Sequence, residues 1–213
     1  VGDEILIVSS RTNWNEAEKR TIKAVSNDKK TFTLNSNLKF PHIGNKKTYT
    51  RSKDGKKWNA ELRAEVGLLS KSIKIQGDAS SKNNQFGGHI MIHSGGKAHV
   101  ENIELYQMGQ KAIVGRYPFH WHLLQEKGAG QYLKNSSIHT SYNRAITIHG
   151  TESTLVENNF AYDHIGHGLF LEDGSERFNI IKKNVMVLSK RPKKGEEVTP
   201  SDNQFNEVQN RTP

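Results

Sequence analysis

Phe119-His120-Trp121-His122, Ile146-Thr147-Ile148-His149 and Leu169-Phe170-Leu171-Glu172 follow one another within residues 116–174. Each has the length of a short strand, ends on a side chain able to do chemistry, and is followed closely by glycine or a turn. Ile90-Met91-Ile92-His93 upstream has the same form. A second signal lies between them, an apolar residue, then Glu or Lys, then Asn: Val100-Glu101-Asn102, Leu133-Lys134-Asn135, Val156-Glu157-Asn158 and, more weakly, Lys182-Lys183-Asn184. Asn135 to His149 and Asn158 to Glu172 are both 14 residues, while the Asn spacings are 33, 23 and 26. Strand-bearing repeats of roughly 20–30 residues indicate a solenoid. The sequence therefore predicts an all-β chain, a right-handed parallel β-helix whose coils carry insertions, preceded by an irregular β-rich segment.

In such a helix, equivalent residues of successive rungs stack at roughly 4.8 Å and become columns. Ile92, Trp121, Ile148 and Leu171 are expected to form an inward column, and His93, His122, His149 and Glu172 an outward one. Asn102, Asn135 and Asn158 are expected to stack as an amide ladder, a structural device.

The columns suggest chemistry. Two imidazoles and a carboxylate on consecutive rungs (His122, His149, Glu172) can converge on one divalent ion, zinc or calcium, leaving positions open for substrate or water. The same groups can work without metal, a histidine as base and Glu172 or Asp173 as acid. His120 shares a face with His122, being two residues away, and is a candidate substrate, second-sphere or fourth-ligand residue. Arg116 and Arg144 are candidates for holding uronate carboxylates. Tyr117 and Tyr142 are either sugar platforms or packing, and Trp121 by parity is core. Asp173, adjacent to Glu172, points away from it unless the strand ends first. His164 and His167, flanked by glycines, read as turn residues, His89 and His99 as structural, and His42 as lying in a turn.

Outside the repeats, residues 1–58 form a β-rich lead-in with a hairpin by pattern around Ser26-Asn27-Asp28 and a basic loop from Lys46 to Lys57, and 59–213 form the helix. A coil pattern begins near Glu61, and Phe205–Val208 is a candidate further rung. The formal charge of +9 favours an anionic partner. Aromatic residues make up only 8% and are read as not interleaved with the basic run, which disfavours nucleic acid. No apolar run is long enough for a membrane span, and the absence of cysteine excludes disulfides and thiol chemistry. Val1 opens in mid-strand, so the chain reads as an excised fragment, and a monomer is expected.

Several motifs occur in one order: Arg63-Ala-Glu-Val-Gly-Leu-Leu-Ser70, Phe86-Gly-Gly-His89, Met108-Gly-Gln110, Tyr117-Pro-Phe-His-Trp-His-Leu123, Thr147-Ile-His-Gly150, His164-Ile-Gly-His167 and Phe170-Leu-Glu-Asp-Gly174. Together they resemble the animal hyaluronan-depolymerising family of cell migration-inducing hyaluronan-binding proteins, transmembrane hyaluronidases and fibrocystin-like receptors. The resemblance implies a right-handed parallel β-helix, an extracellular setting and hyaluronan or a related glycosaminoglycan as substrate. The chain departs from the animal members in having no cysteine. Three functions stay open: depolymerisation of an acidic polysaccharide by hydrolysis, its cleavage by elimination as a lyase on this or another uronate polymer, and non-catalytic carbohydrate binding.

Overall fold

The computed structural model describes residues 1–198. The chain divides into two compact units, Val1–Leu68 and a second beginning at Leu69. The expected rung at Phe205–Val208 lies outside the described residues.

In the first unit, Glu4–Ile7 pairs antiparallel with Glu18–Val25, which pairs antiparallel with Phe32–Leu34 as the turn residues suggested. Val66–Leu68 adds to the other edge of Glu4–Ile7, again antiparallel, so parallel stacking begins only later. Ile5, Ile7 and Ile22 form a small core. Between the first two strands the chain makes one 3-10 turn, Trp14–Glu16.

The basic segment is a hairpin, Lys47–Thr50 against Lys57–Ala60, with Tyr49 stacked on Trp58 at 6.0 Å and the Lys47 ammonium 5.1 Å from the Tyr49 ring centre. Aromatic and basic residues therefore do interleave here, contrary to the sequence reading. The antiparallel register, which pairs Tyr49 with Trp58, is what brings the rings together.

The second unit is a parallel β-helix of three sheets. The first sheet stacks Ile90–Ile92, Phe119–Gln125, Ile146–Thr151 and Leu169–Leu171. The second stacks His99–Glu101, Tyr132–Lys134, Leu155–Glu157 and Ile180–Lys182. The third runs from Ile73–Gln76 through Ile103–Tyr106, Ser137–Ser141 and Phe160–Ile165 to Val185–Lys190. Ile92, Trp121, Ile148 and Leu171 lie in register as expected. The first three are buried, while Leu171 is 37% exposed. Trp121 is fully buried and its indole N–H donates to Gln131 Oε1 at 3.0 Å, which satisfies its single polar atom inside the coil.

The asparagine ladder is double. At the outer corner Asn158 donates to Asn135 Oδ1 at 2.6 Å, and Asn135 donates to Glu101 Oε1 at 2.7 Å rather than to Asn102. All three asparagines have positive φ, between 51° and 60°, a conformation Asn tolerates better than most residues. One residue on, Asn159 takes the Ser136 N–H on Oδ1 at 3.0 Å and donates from Nδ2 to the Leu133 carbonyl at 2.9 Å, and its own N–H goes to Asn184 Oδ1 at 2.9 Å. Asn184 thus aligns with Asn159, not Asn158, and Lys183 occupies the positive-φ corner. The sequence pattern slipped by one because the corner accepts either Asn or Lys. Among the described residues no helix is long and apolar enough to cross a membrane.

Candidate functional site

His122 and His149 pair directly across adjacent rungs of the first sheet. Immediately after His149, Gly150 takes φ +48°, and a Cβ there would lie 2.7 Å from Leu123 Cδ2. Gly150 lies within the strand Ile146–Thr151, and the pairing register with the preceding rung shifts between His122 and Gln125, so the pair His122–His149 is the last before that irregularity. Register places His149 Nδ1 3.1 Å from His122 Nδ1. The strand Leu169–Leu171 ends before Glu172, whose N–H still donates to Ile148 O at 3.0 Å. Alternation therefore fails there, and both following carboxylates reach the same imidazole. Glu172 Oε2 lies 3.9 Å from His149 Nδ1, and Asp173 Oδ2 lies 3.4 Å from His149 Nε2.

His120 is nearly fully buried although it faces outward, because the loop before its strand folds over it. Its Nδ1 lies 3.0 Å from Gly115 O, and the Tyr117 ring packs 4.9 Å away. A carbonyl only accepts, so Nδ1 carries the proton and Nε2 keeps a lone pair. That Nε2 is buried and has no hydrogen-bond partner. Burial, with smaller contributions from His122, His149 and Arg144, outweighs the Gly115 hydrogen bond and pushes the His120 imidazole down to about 3, so it stays neutral. Burial and the neighbouring imidazoles lower His122 as well. His120, His122 and His149 each present one nitrogen, all within 4.8 Å of one another. His93 flanks them, its ring 5.3 Å from that of His122.

Beneath this set lies a chain of contacts. The Arg144 guanidinium donates to Tyr117 Oη at 3.0 Å, and Tyr117 Oη lies 3.5 Å from Glu172 Oε1. Arg144 is buried and stacked on Phe170, 4.1 Å from its ring centre. Burial raises Glu172, against the lowering pull of His149 and Arg144. Burial likewise drives the Tyr117 hydroxyl up to about 12, against Arg144, so it remains a donor.

The expected catalytic set His122, His149, Glu172 and Asp173 is thus gathered, and His120 is in the cluster. Arg116 is apart: it is exposed and its guanidinium lies 2.8 Å from His89 Nε2. Arg144 and Tyr117, expected at the substrate, are buried and support the carboxylate from below; Tyr142 is buried too. The reason is the loop cover, which no residue periodicity announces. His164 is buried and bonded to Gly166 O at 3.1 Å, and His167 stacks on Phe170 at 4.8 Å. His99 stacks on Tyr132, and His42 lies 3.2 Å from buried Glu18 in the first unit. One residue escaped notice. Glu176 Oε1 accepts the N–H groups of Gly150 at 3.1 Å and Asp173 at 2.9 Å, tying the carboxylate loop to the rung that carries His149. Its only trace in sequence is the turn Asp173-Gly174-Ser175 before it.

The profile of the CEMIP beta-helix family matches residues 85–212, more than half the chain and the whole of this site. The chain belongs to the CEMIP beta-helix family. Fibrocystin-L of Mus musculus is 36% identical over 94% of the chain, which spans 6% of that protein. A G8 domain-containing protein of Dictyostelium discoideum is 39% identical over 87% of the chain, which spans 12% of its length. Cell surface hyaluronidase CEMIP2 of Homo sapiens is 35% identical over 89% of the chain, which spans 14% of it. This CEMIP beta-helix therefore spans a small part of each of these relatives.

Proposed function

We propose that this chain, in an extracellular setting, depolymerises an acidic polysaccharide, hyaluronan or a related glycosaminoglycan, at the His149 site. The observation that carries the reading is one imidazole with a carboxylate at each nitrogen, Glu172 at 3.9 Å and Asp173 at 3.4 Å, on a family member related to a cell surface hyaluronidase. Imidazole and carboxyl groups so placed supply the proton transfers that both hydrolysis and uronate elimination need. The formal charge of +9 favours a polyanion.

The test is incubation with hyaluronan and chondroitin chains, followed by sizing. Chains are expected to shorten, and His149→Ala to slow this by about 10²–10⁴-fold. Ultraviolet absorbance of the products assigns elimination, and its absence hydrolysis. If no polyanion shortens, or His149→Ala works at the native rate, the site is not catalytic and the chain is a binding module.

A further inference from the structure

We propose that His120, His122 and His149 form a tri-histidine site for a zinc-class divalent cation, with Glu172 as its oxygen donor. The proposal concerns what the site binds, and it stands whether or not the chain cleaves polysaccharide. The sequence alone suggested His122, His149 and Glu172 as ligands; the structure adds His120 as the third nitrogen.

Tautomers are the first argument. His120 Nδ1–H is committed to Gly115 O, and Asp173 Oδ2 stands 3.4 Å from His149 Nε2, where it holds the proton on that nitrogen. That leaves the His120 lone pair on Nε2 and the His149 lone pair on Nδ1, which lies 3.1 Å from His122 Nδ1. Ligating histidines characteristically have their second nitrogen held by a carbonyl or carboxylate. His120 Nε2 is the decisive atom, a buried acceptor without a partner on a residue 1% exposed. A buried acceptor left without a partner is costly, and a bound ion would satisfy it.

Distance is the second argument. Two metal–nitrogen bonds of about 2.0–2.1 Å at a tetrahedral angle hold their nitrogens about 3.3 Å apart. His122 Nδ1 and His149 Nδ1 stand 3.1 Å apart, and all three imidazoles offer nitrogens within 4.8 Å. Small rotations bring such a set onto one ion. Glu172 Oε2, buried and without a hydrogen bond, lies 3.9 Å from His149 Nδ1 on the same side. Donor chemistry selects the metal. Three imidazoles suit zinc, cobalt or copper, whereas calcium takes oxygen ligands, so of the two expected ions the site fits zinc. Three imidazoles and the Glu172 carboxylate would complete the four positions of a tetrahedral ion.

The experiment uses chain stripped with a chelator and titrated with Co²⁺. Expected are the visible bands of a tetrahedral cobalt site, saturating at one equivalent and displaced by Zn²⁺. X-ray absorption of the zinc-loaded native chain should require three imidazoles. His122→Ala should weaken Co²⁺ binding at least 100-fold, and His93→Ala should leave it unchanged. Absence of tetrahedral bands overturns the proposal, as does a zinc spectrum with two imidazoles or fewer. The absorption measurement needs no variant, so misfolding of a His120 substitution cannot blur the answer. Tight metal binding without polysaccharide cleavage would support this site while removing the function proposed above.

Discussion

Asn158 and Asn159 are neighbours in sequence with unequal duties. Asn158 is exposed at a corner and donates to Asn135, where water can replace a lost partner. Asn159 is 1% exposed, and truncating it strands the Ser136 N–H and the Leu133 carbonyl inside the coil. An unpartnered buried backbone group costs about 1–3 kcal/mol. Asn159→Ala is therefore expected to destabilise the chain by about 2–4 kcal/mol. Asn158→Ala is expected to cost under about 1 kcal/mol, the net worth of an exposed hydrogen bond. Urea unfolding of the two variants makes the comparison, and equal midpoints would show that the inner ladder has no special weight.

At the scale of elements, the site depends on how the strand Leu169–Leu171 stops. The loop after it, carrying Glu172 and Asp173, is fastened by Glu176 Oε1 to the N–H groups of Gly150 and Asp173. Removing that carboxylate frees Asp173 from its place at His149 Nε2 while leaving the stacked strands untouched. Outer-sphere partners of metal-bound histidines are worth about 10–100-fold in affinity. Glu176→Ala is accordingly expected to weaken Co²⁺ binding by about 10-fold or more with a nearly native melting temperature. An unchanged titration would show that the loop needs no such tether.

For the whole molecule, acid should act on the two units in separate pH windows. In the β-helix, burial drives His164 down to about 4, against its hydrogen bond to Gly166 and the nearby Asp163, with His167 and Lys190 adding to the fall. The folded state keeps this ring neutral while the unfolded chain protonates it near 6.5, so stability is lost as pH falls from about 6.5 to about 4. In the first unit, burial works to raise Glu18, but the N–H groups of Lys39 and Phe40, with His42 and Arg20, overcome it and hold the carboxyl at about 2. Its contribution is complete above about 4.5 and disappears as pH falls toward 2. Trp121 reports on the helix, and Trp14 and Trp58 on the first unit. Melting followed through Trp121, in a chain with Phe at positions 14 and 58, should weaken below pH 6.5. Melting of the first unit should hold until about pH 4.5. A helix signal flat from pH 7 to 4 would contradict this assignment.

The inward column of Ile92, Trp121 and Ile148 and the facing of His122 and His149 were legible in sequence, because strand alternation and a repeat fix which residues share a column and which side they leave. Periodicity carries no information about what covers an outward face or where a strand stops. Only the tertiary structure decided that the loop through Gly115 and Tyr117 buries His120 and fixes its tautomer. It likewise turned Arg144 inward onto Phe170 and ended the last strand one residue early, so that Asp173 joined Glu172. Those are contacts between segments tens of residues apart, set by the packing of loops on rungs, and local residue preferences do not determine them.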